Sequence, residues 1–513
     1  MNVPLEEQEG SASIGRPGEL ARRIRSAAEV DGWLAAAKLI GRHWDILAVE
    51  APAELLAAVK MLPGEVLIAE PGFVVGASYL ETLVRGGDPR RFTHDARIDA
   101  LVNDDAQQPV QRLILLTGQI AEARTNGELD ASTKLIDAAK AILAAMLPSE
   151  RTQAAGSIAH LRMQWARTAE AADAPNALHE YEKAVDLAGS TNQSLLLRRA
   201  RASLAWYLAD QGWLEPARTQ LARAHALSAN PRYDAPLFLT AALLKIEQGD
   251  VAGGVAELAR FQAVQSGEYW AARHWVSALA ARTPAAASAV ADSIQLDLER
   301  HTSQERNTPA NRRYIGRAHH RLALQHVDVA QWALEPLPSQ GFSHSHFMRA
   351  VRALRNGDLA AAGVEAERTL HTARAPRVRA GALLIGAAVA PAGGVADAAI
   401  REAVTYIDQA GLGSAYRLLP HQLLQRLISR ADPELRVILQ RSIGMLPTGE
   451  VAALTSRQLE VLRLLTTGAA PTAIAAELHI SINTLKPMLR RIYTALEVNS
   501  RAEAVVVARR LGI

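Results

Sequence analysis

The sequence predicts an all-α protein: a tetratricopeptide-like helical-repeat solenoid followed by a small four-helix domain. Three observations lead there. The chain has 513 residues, more than one hydrophobic core ordinarily serves, so it divides into units. It is rich in Ala and Leu, holds only 4% aromatic residues and has few alternating β-branched runs, a composition that favours helix over sheet. From about Ala27 to Gln440, apolar residues fall at i, i+3, i+4 and i+7 between short breaks of Gly, Asp, Asn or Pro, the rhythm of paired helices.

The pairs share a signature. Gly212 is followed by Leu214, Ala217, Leu221, Ala224 and Leu227. The same offsets run from Gly127 (Leu129, Ser132, Ile136, Ala139), from Gly249 (Val251, Gly254, Leu258, Phe261) and from Gly357 (Leu359, Ala362, Ala366, Thr369). A partial copy without the glycine runs Ala177, Tyr181, Ala184, Leu187. Glycine ends the first helix of each pair, the small residue five positions on lets the two helices approach, and the larger apolar residues fill the groove between them. Gly212 to Gly249 spans 37 residues, close to the ~34 of a tetratricopeptide repeat. Units of this kind stack into a curved solenoid whose inner face is available to a partner. An irregular helical bundle is the competing reading.

Residues 1–24 are polar and bear Gly, Ser and Pro, so they read as a disordered tail. The solenoid then occupies 25–445 and the small domain 446–513, with Gly444, Pro447 and Gly449 of "GMLPTGEVAA" marking the linker. Charge follows this division. Residues 446–513 hold eight basic and five acidic residues, which accounts for the whole formal surplus of +3. Any pull on phosphate therefore belongs to the C-terminal end.

Several function classes are excluded. There is no cysteine for disulfides or thiolate metal sites. The start has no basic-then-apolar leader, and no stretch approaches the roughly 18 uncharged apolar residues of a membrane span, so a cytoplasmic protein without a membrane partner is expected. No phosphate loop, dinucleotide glycine motif, nucleophile elbow or H-E-x-x-H occurs, which argues against an enzyme and against a cofactor or metal. His319, His320, His326, His344 and His346 lack an acidic ligand at metal-binding spacing. Tyr269, Trp270, Arg273 and Trp275 share one helical stretch and are the candidates for an effector pocket, although such aromatics more often act as spacers between helices.

The C-terminal end is dense in cap signals. Thr455 with Gln458 forms a capping box for "SRQLEVLRLLTTG", and Gly468 follows that helix. Pro471 opens "PTAIAAEL", Ser481 caps the third helix, and Ser500 with Glu503 opens the fourth. Only "HIS" joins helices two and three, the connection of a helix-turn-helix reader. Leu462, Leu465, Ile474, Leu478, Ile480, Leu485, Leu489, Ile492, Leu496 and Val498 would form its core. Lys486 and Arg490, four apart, share the opposite face of helix three, with Thr484 and Arg491 at its margins. A solvated basic face is the bland reading of these residues taken singly.

Together, "LTSRQLEVLRLLTTG", "IAAELHISINTLK" and "LRRIYTALEVNSRAEAVVVARRLGI" resemble the DNA-binding domain of LuxR-family bacterial transcription regulators over about 60 residues. The resemblance implies that helix three enters the major groove, that Lys486 and Arg490 contact bases or phosphates, and that Ser481, Asn483 and Thr484 lie near the backbone. Arg491 and Arg501 join this DNA-binding set. It also implies dimerisation through the fourth helix, with Val506 and Arg509 near a symmetry axis. Upstream, "LIGRHWDIL" and "AAVKMLPGEVLIAEPGFVVGASYL" resemble the large maltose-regulator-type members, but without the ATPase phosphate loop ATP-driven assembly does not carry over. Where the family commonly has donors to phosphate, this chain has Ala470, Ala473 and Met488. The expected function is a transcription regulator that binds double-stranded DNA as a homodimer and takes an unknown effector, small molecule or protein, on the repeat array. The alternative is an interaction scaffold whose terminal domain no longer binds DNA.

Pro487 complicates helix three. Counted from a Ser481 cap it is the sixth helical residue, so it forfeits the bond to the Asn483 carbonyl, at about 3 kcal/mol in an ordinary interior. Either the helix keeps the Ser481 cap and kinks, or it starts late with Thr484 as cap. The apolar register of Ile482 and Leu485 favours the early start.

Overall fold

The computed structural model describes residues 19–85, 102, 107–172, 174–191, 194–227, 234–262, 267–324, 345–391, 393–444, 456–496, 498 and 500–510, and among them there are helices and turns but no strand. The expected linker beyond Gly444 and the Thr455 cap lie outside the described residues. Helix α1 (Glu19–Asp31) begins inside the expected tail. Ile24 is fully buried there, packed with Ile40 and Leu55, so one apolar anchor converts the end of a polar stretch into helix. With α2 (Trp33–Glu50), α3 (Pro52–Lys60), α4 (Gly64–Ala69) and α5 (Gly72–Arg85) it forms a first core.

Paired helices follow: α6 (Pro109–Thr125) with α7 (Leu129–Ala145), then, after α8 (Pro148–Gln153), α9 (Ala155–Ala171) with α10 (Ala177–Gly189). α11 (Ser194–Gln211) pairs with α12 (Leu214–His225), and α13 (Ala235–Glu247) with α14 (Val251–Gln262). A 3-10 turn at Gly267–Tyr269 leads into α15 (Trp270–Ala280), α16 (Pro284–Arg300), α17 (Ser303–Arg306) and α18 (Pro309–Ala323). α19 (Ser345–Arg355) pairs with α20 (Leu359–Thr372), and α21 (Pro376–Val389) with α22 (Gly394–Ala410). A 3-10 segment at Gly413–Leu418 then precedes α23 (His421–Arg430) and α24 (Pro433–Gly444). First helices of successive pairs pack on one another, α6 on α9, α9 on α11, α11 on α13 and α13 on α15, which is how a repeat array grows.

The signature residues do what their spacing requires. Gly127, Gly212, Gly249 and Gly357 all have φ between 77° and 96°, and each ends the first helix of its pair. After Gly212 the Trp213 N–H donates to the Leu208 carbonyl at 2.9 Å, the six-to-one closure of a left-handed helix stop. A Cβ on Gly212 would lie 2.7 Å from the Arg377 backbone nitrogen, so that position admits no side chain. Ser132, Ala217, Gly254 and Ala362, the small residues of the pattern, are all buried between the helices of their pairs.

The array differs from an open solenoid in one respect. It curls until α21 meets α11 and α18 meets α9. From α21, Arg377 donates to the Ala209 and Asp210 carbonyls at 2.8 and 2.9 Å, to Ser414 Oγ at 3.2 Å, and to Glu247. From α18, Arg317 reaches Asp210 Oδ1 at 2.9 Å. Trp206, Trp275 and Tyr314 pack against one another beside these charges. The inner face expected to be available is therefore largely filled, because charged and aromatic residues from opposite sides of the bore meet there. Among the described residues no helix is long and apolar enough to cross a membrane.

Candidate nucleic-acid interface

Four helices form the C-terminal unit: α25 (Ser456–Thr466), α26 (Pro471–Glu477), α27 (Ile482–Ala495) and α28 (Arg501–Arg510). All ten core residues expected from the sequence fall in one cluster, joined by Val461, Ala475, Ala504 and Ala508. Pro471 sits at the first position of α26, and Ser500 Oγ accepts from the Glu503 N–H at 3.2 Å to open α28.

The turn between α26 and α27 depends on a residue that spacing did not single out. His479 has φ 53°, the one non-glycine residue with positive φ among those described. Its N–H donates to Ala476 O at 3.1 Å and the Ile480 N–H to Ala475 O at 2.9 Å, so His479 occupies the left-handed stop usually given to glycine. Ser481 then caps α27, its Oγ accepting from the Thr484 N–H at 3.1 Å.

From that cap α27 runs through Pro487 without a break, and the late start is not adopted. Asn483 and Pro487 both face solvent, so water can take up the carbonyl left without a partner. Leu485 and Ile492 are fully buried on the opposite side, with Leu489 half-buried between them, and they fix which way the helix turns. Asn483, Thr484, Lys486, Pro487, Arg490 and Arg491 form the exposed face. Lys486, Arg490 and Arg491 make no hydrogen bond or ion pair with a described residue. Three uncompensated cations on one turn and a half of helix are an arrangement suited to phosphate or to acceptor-rich base edges.

Residues 452–508 match the family model described as bacterial regulatory proteins, luxR family. No curated protein and no solved structure matches the chain. The C-terminal unit is a LuxR-family domain.

A LuxR-family domain over residues 452–508 supports a DNA-binding transcription regulator. Within the LuxR-family domain the remaining site residues divide. Arg501 donates to the Ala469 carbonyl at 2.6 Å, tying the start of α28 to the loop after α25, a contact internal to the domain. Arg457, unremarked in the sequence, ties α25 to the end of α26 by donating to the Leu478 carbonyl. Val506 is 47% exposed on α28, and the Arg509 side chain lies outside the description.

The aromatic candidates upstream do not converge. Tyr269 and Trp270 line a small cavity, whereas Arg273 pairs with Asp297 at 2.7 Å and Trp275 packs against Trp206. Trp270 stacks on His301 with centroids 4.2 Å apart. His319 and His320 are buried, and His346 pairs with Glu365 at 2.7 Å; His326 and His344 lie outside the described residues.

Proposed function

We propose that this regulator is cytoplasmic, binds duplex DNA as a homodimer through α27, and couples that binding to an effector received by the closed helical array. In this reading Lys486 and Arg490 contact bases or phosphates, Arg491 adds a phosphate contact, and Ser481, Asn483 and Thr484 approach the backbone. Val506 and Arg509 meet their symmetry mates on α28. The chain carries out no catalysis. The observation that carries the reading is the set of three exposed, unpartnered cations on the helix that follows the His479 turn. Dimerisation is the economical remedy for a reader this small, since paired half-sites double its few contacts.

Titration of full-length protein against random duplex at several salt concentrations tests it. Affinity should fall steeply with salt, with a log–log slope of about −0.9 per phosphate neutralised. Arg490→Gln should lower the slope by roughly one contact or, if the contact is to a base, cost about 1–3 kcal/mol at a selected site. Binding that is negligible and flat with salt would instead indicate an interaction scaffold.

A further inference from the structure

A cavity of about 70 Å³ lies where the array closes, between the ends of α6 and α9 and the start of α18. Arg124, Arg167, Glu170 and Glu268 line it beside the Trp206 and Tyr314 rings. The charges are not equally committed. Arg124 forks onto Glu268 at 2.8 and 3.0 Å and also donates to Thr168 Oγ1 and the Gln164 carbonyl, which exhausts it. Glu305, on the rim, accepts from the Thr302 N–H at 2.7 Å. Arg167 has only an ion pair to Glu268 at 3.2 Å and a place over the Tyr269 ring; it makes no hydrogen bond and keeps 19% of its side chain exposed. Glu170 accepts from the Tyr181 hydroxyl at 2.6 Å and the Tyr314 hydroxyl at 3.5 Å, and no cation stands within ion-pair distance of it. The Trp206 indole N–H, fully buried in the same wall, has no partner.

We propose that this cavity binds a free α-amino acid, its carboxylate on the Arg167 guanidinium, its ammonium on the Glu170 carboxylate, and its side chain against Trp206 and Tyr314. Arg167 and Glu170 are one turn apart on the same face of α9 and both line the cavity, so one small ligand can reach a cation and a carboxylate together. A dipolar ligand adds no net charge to a partly buried site, whereas a simple carboxylate or amine would leave one unpaired. Burial pushes the Glu170 carboxyl above its ordinary range, against the opposing pull of the Tyr181 hydrogen bond and Arg313. An arriving ammonium would reverse that shift. One water needs about 10–15 Å³, so the space admits a small molecule and excludes a peptide or oligosaccharide.

The proposal rests on the reading of the array as the effector-receiving part. Full-length protein is screened with each of the common amino acids at millimolar concentration, following thermal unfolding and tryptophan fluorescence. At least one amino acid should raise the melting temperature and change the fluorescence, while its deaminated acid and decarboxylated amine bind at least about tenfold more weakly. Glu170→Gln and Arg167→Gln should each weaken binding by a similar factor, with helicity checked by circular dichroism. If no amino acid moves either readout on the unsubstituted protein, or if single-charge analogues bind equally well, the site is refuted. An amino acid that binds with both poles required, yet leaves DNA affinity unchanged, upholds the site and refutes the coupling to DNA.

Discussion

His479 shows how much of the reader depends on one backbone angle. A left-handed conformation costs a non-glycine residue on the order of 1 kcal/mol, and here it closes the turn that sets α27 against α26. His479→Gly should therefore raise the stability of the C-terminal unit by about 0.5–1 kcal/mol, while His479→Val should lower it and weaken DNA binding, as differential melting and duplex titration would reveal. Pro487 is a milder departure. Its lost bond falls on the wet face, so α27 stays in register, and the Arg490 effect on DNA binding should survive beside it.

At the scale of the element, α26 is the least well secured helix of the reader. It has seven residues, and its N-cap, Ala470, makes no side-chain hydrogen bond, although the position is exposed. Ala470→Ser should supply an oxygen to the first free N–H groups and stabilise the unit by about 1 kcal/mol. A rise in the melting temperature of the C-terminal transition would confirm it. No rise would mean that the new hydroxyl stays in water, since Thr283 and Thr308 both cap helices that, like α26, open with proline. The same change places a hydroxyl where DNA backbone could meet it, so affinity for duplex should rise as well.

At the scale of the whole molecule, the array is held shut by side chains far apart in sequence. Arg377 lies 167 residues from Asp210 and 130 from Glu247, and all three are buried. Arg377→Met would leave the buried Glu247 carboxylate without its cation and remove a donor from the Ala209 and Asp210 carbonyls, at a cost of about 3–5 kcal/mol measurable by denaturant unfolding. Acid should open the array too. Burial, reinforced by neighbouring cations such as Arg355, lowers the His319 and His320 rings to about 4, and the Nδ1 of each is buried without a partner. Both rings stay neutral in the folded protein while the unfolded chain takes up protons below its ordinary value near 6.5. Stability should thus be complete above pH 6.5 and fall toward pH 4, by on the order of 1.4 kcal/mol per pH unit for each ring. The His319→Asn, His320→Gln pair should flatten that dependence.

Periods of three to four residues and cap signals act within one or two turns, so the helices, the glycine stops at Gly127, Gly212, Gly249 and Gly357, the Ser481 cap and the outward set of Lys486, Arg490 and Arg491 all follow from local sequence. The ten core residues of the C-terminal unit were legible for the same reason, since their faces follow from helical spacing alone. Tertiary packing alone accounts for Ile24 anchoring a helix in a polar stretch, for the bond from Arg501 to Ala469, for the separation of the effector candidates, and for a bore that is largely filled. Those outcomes turn on which side chains meet across 16 to 168 residues of intervening chain. No local pattern encodes such a meeting, because it is fixed by the accumulated curvature of many helix pairs.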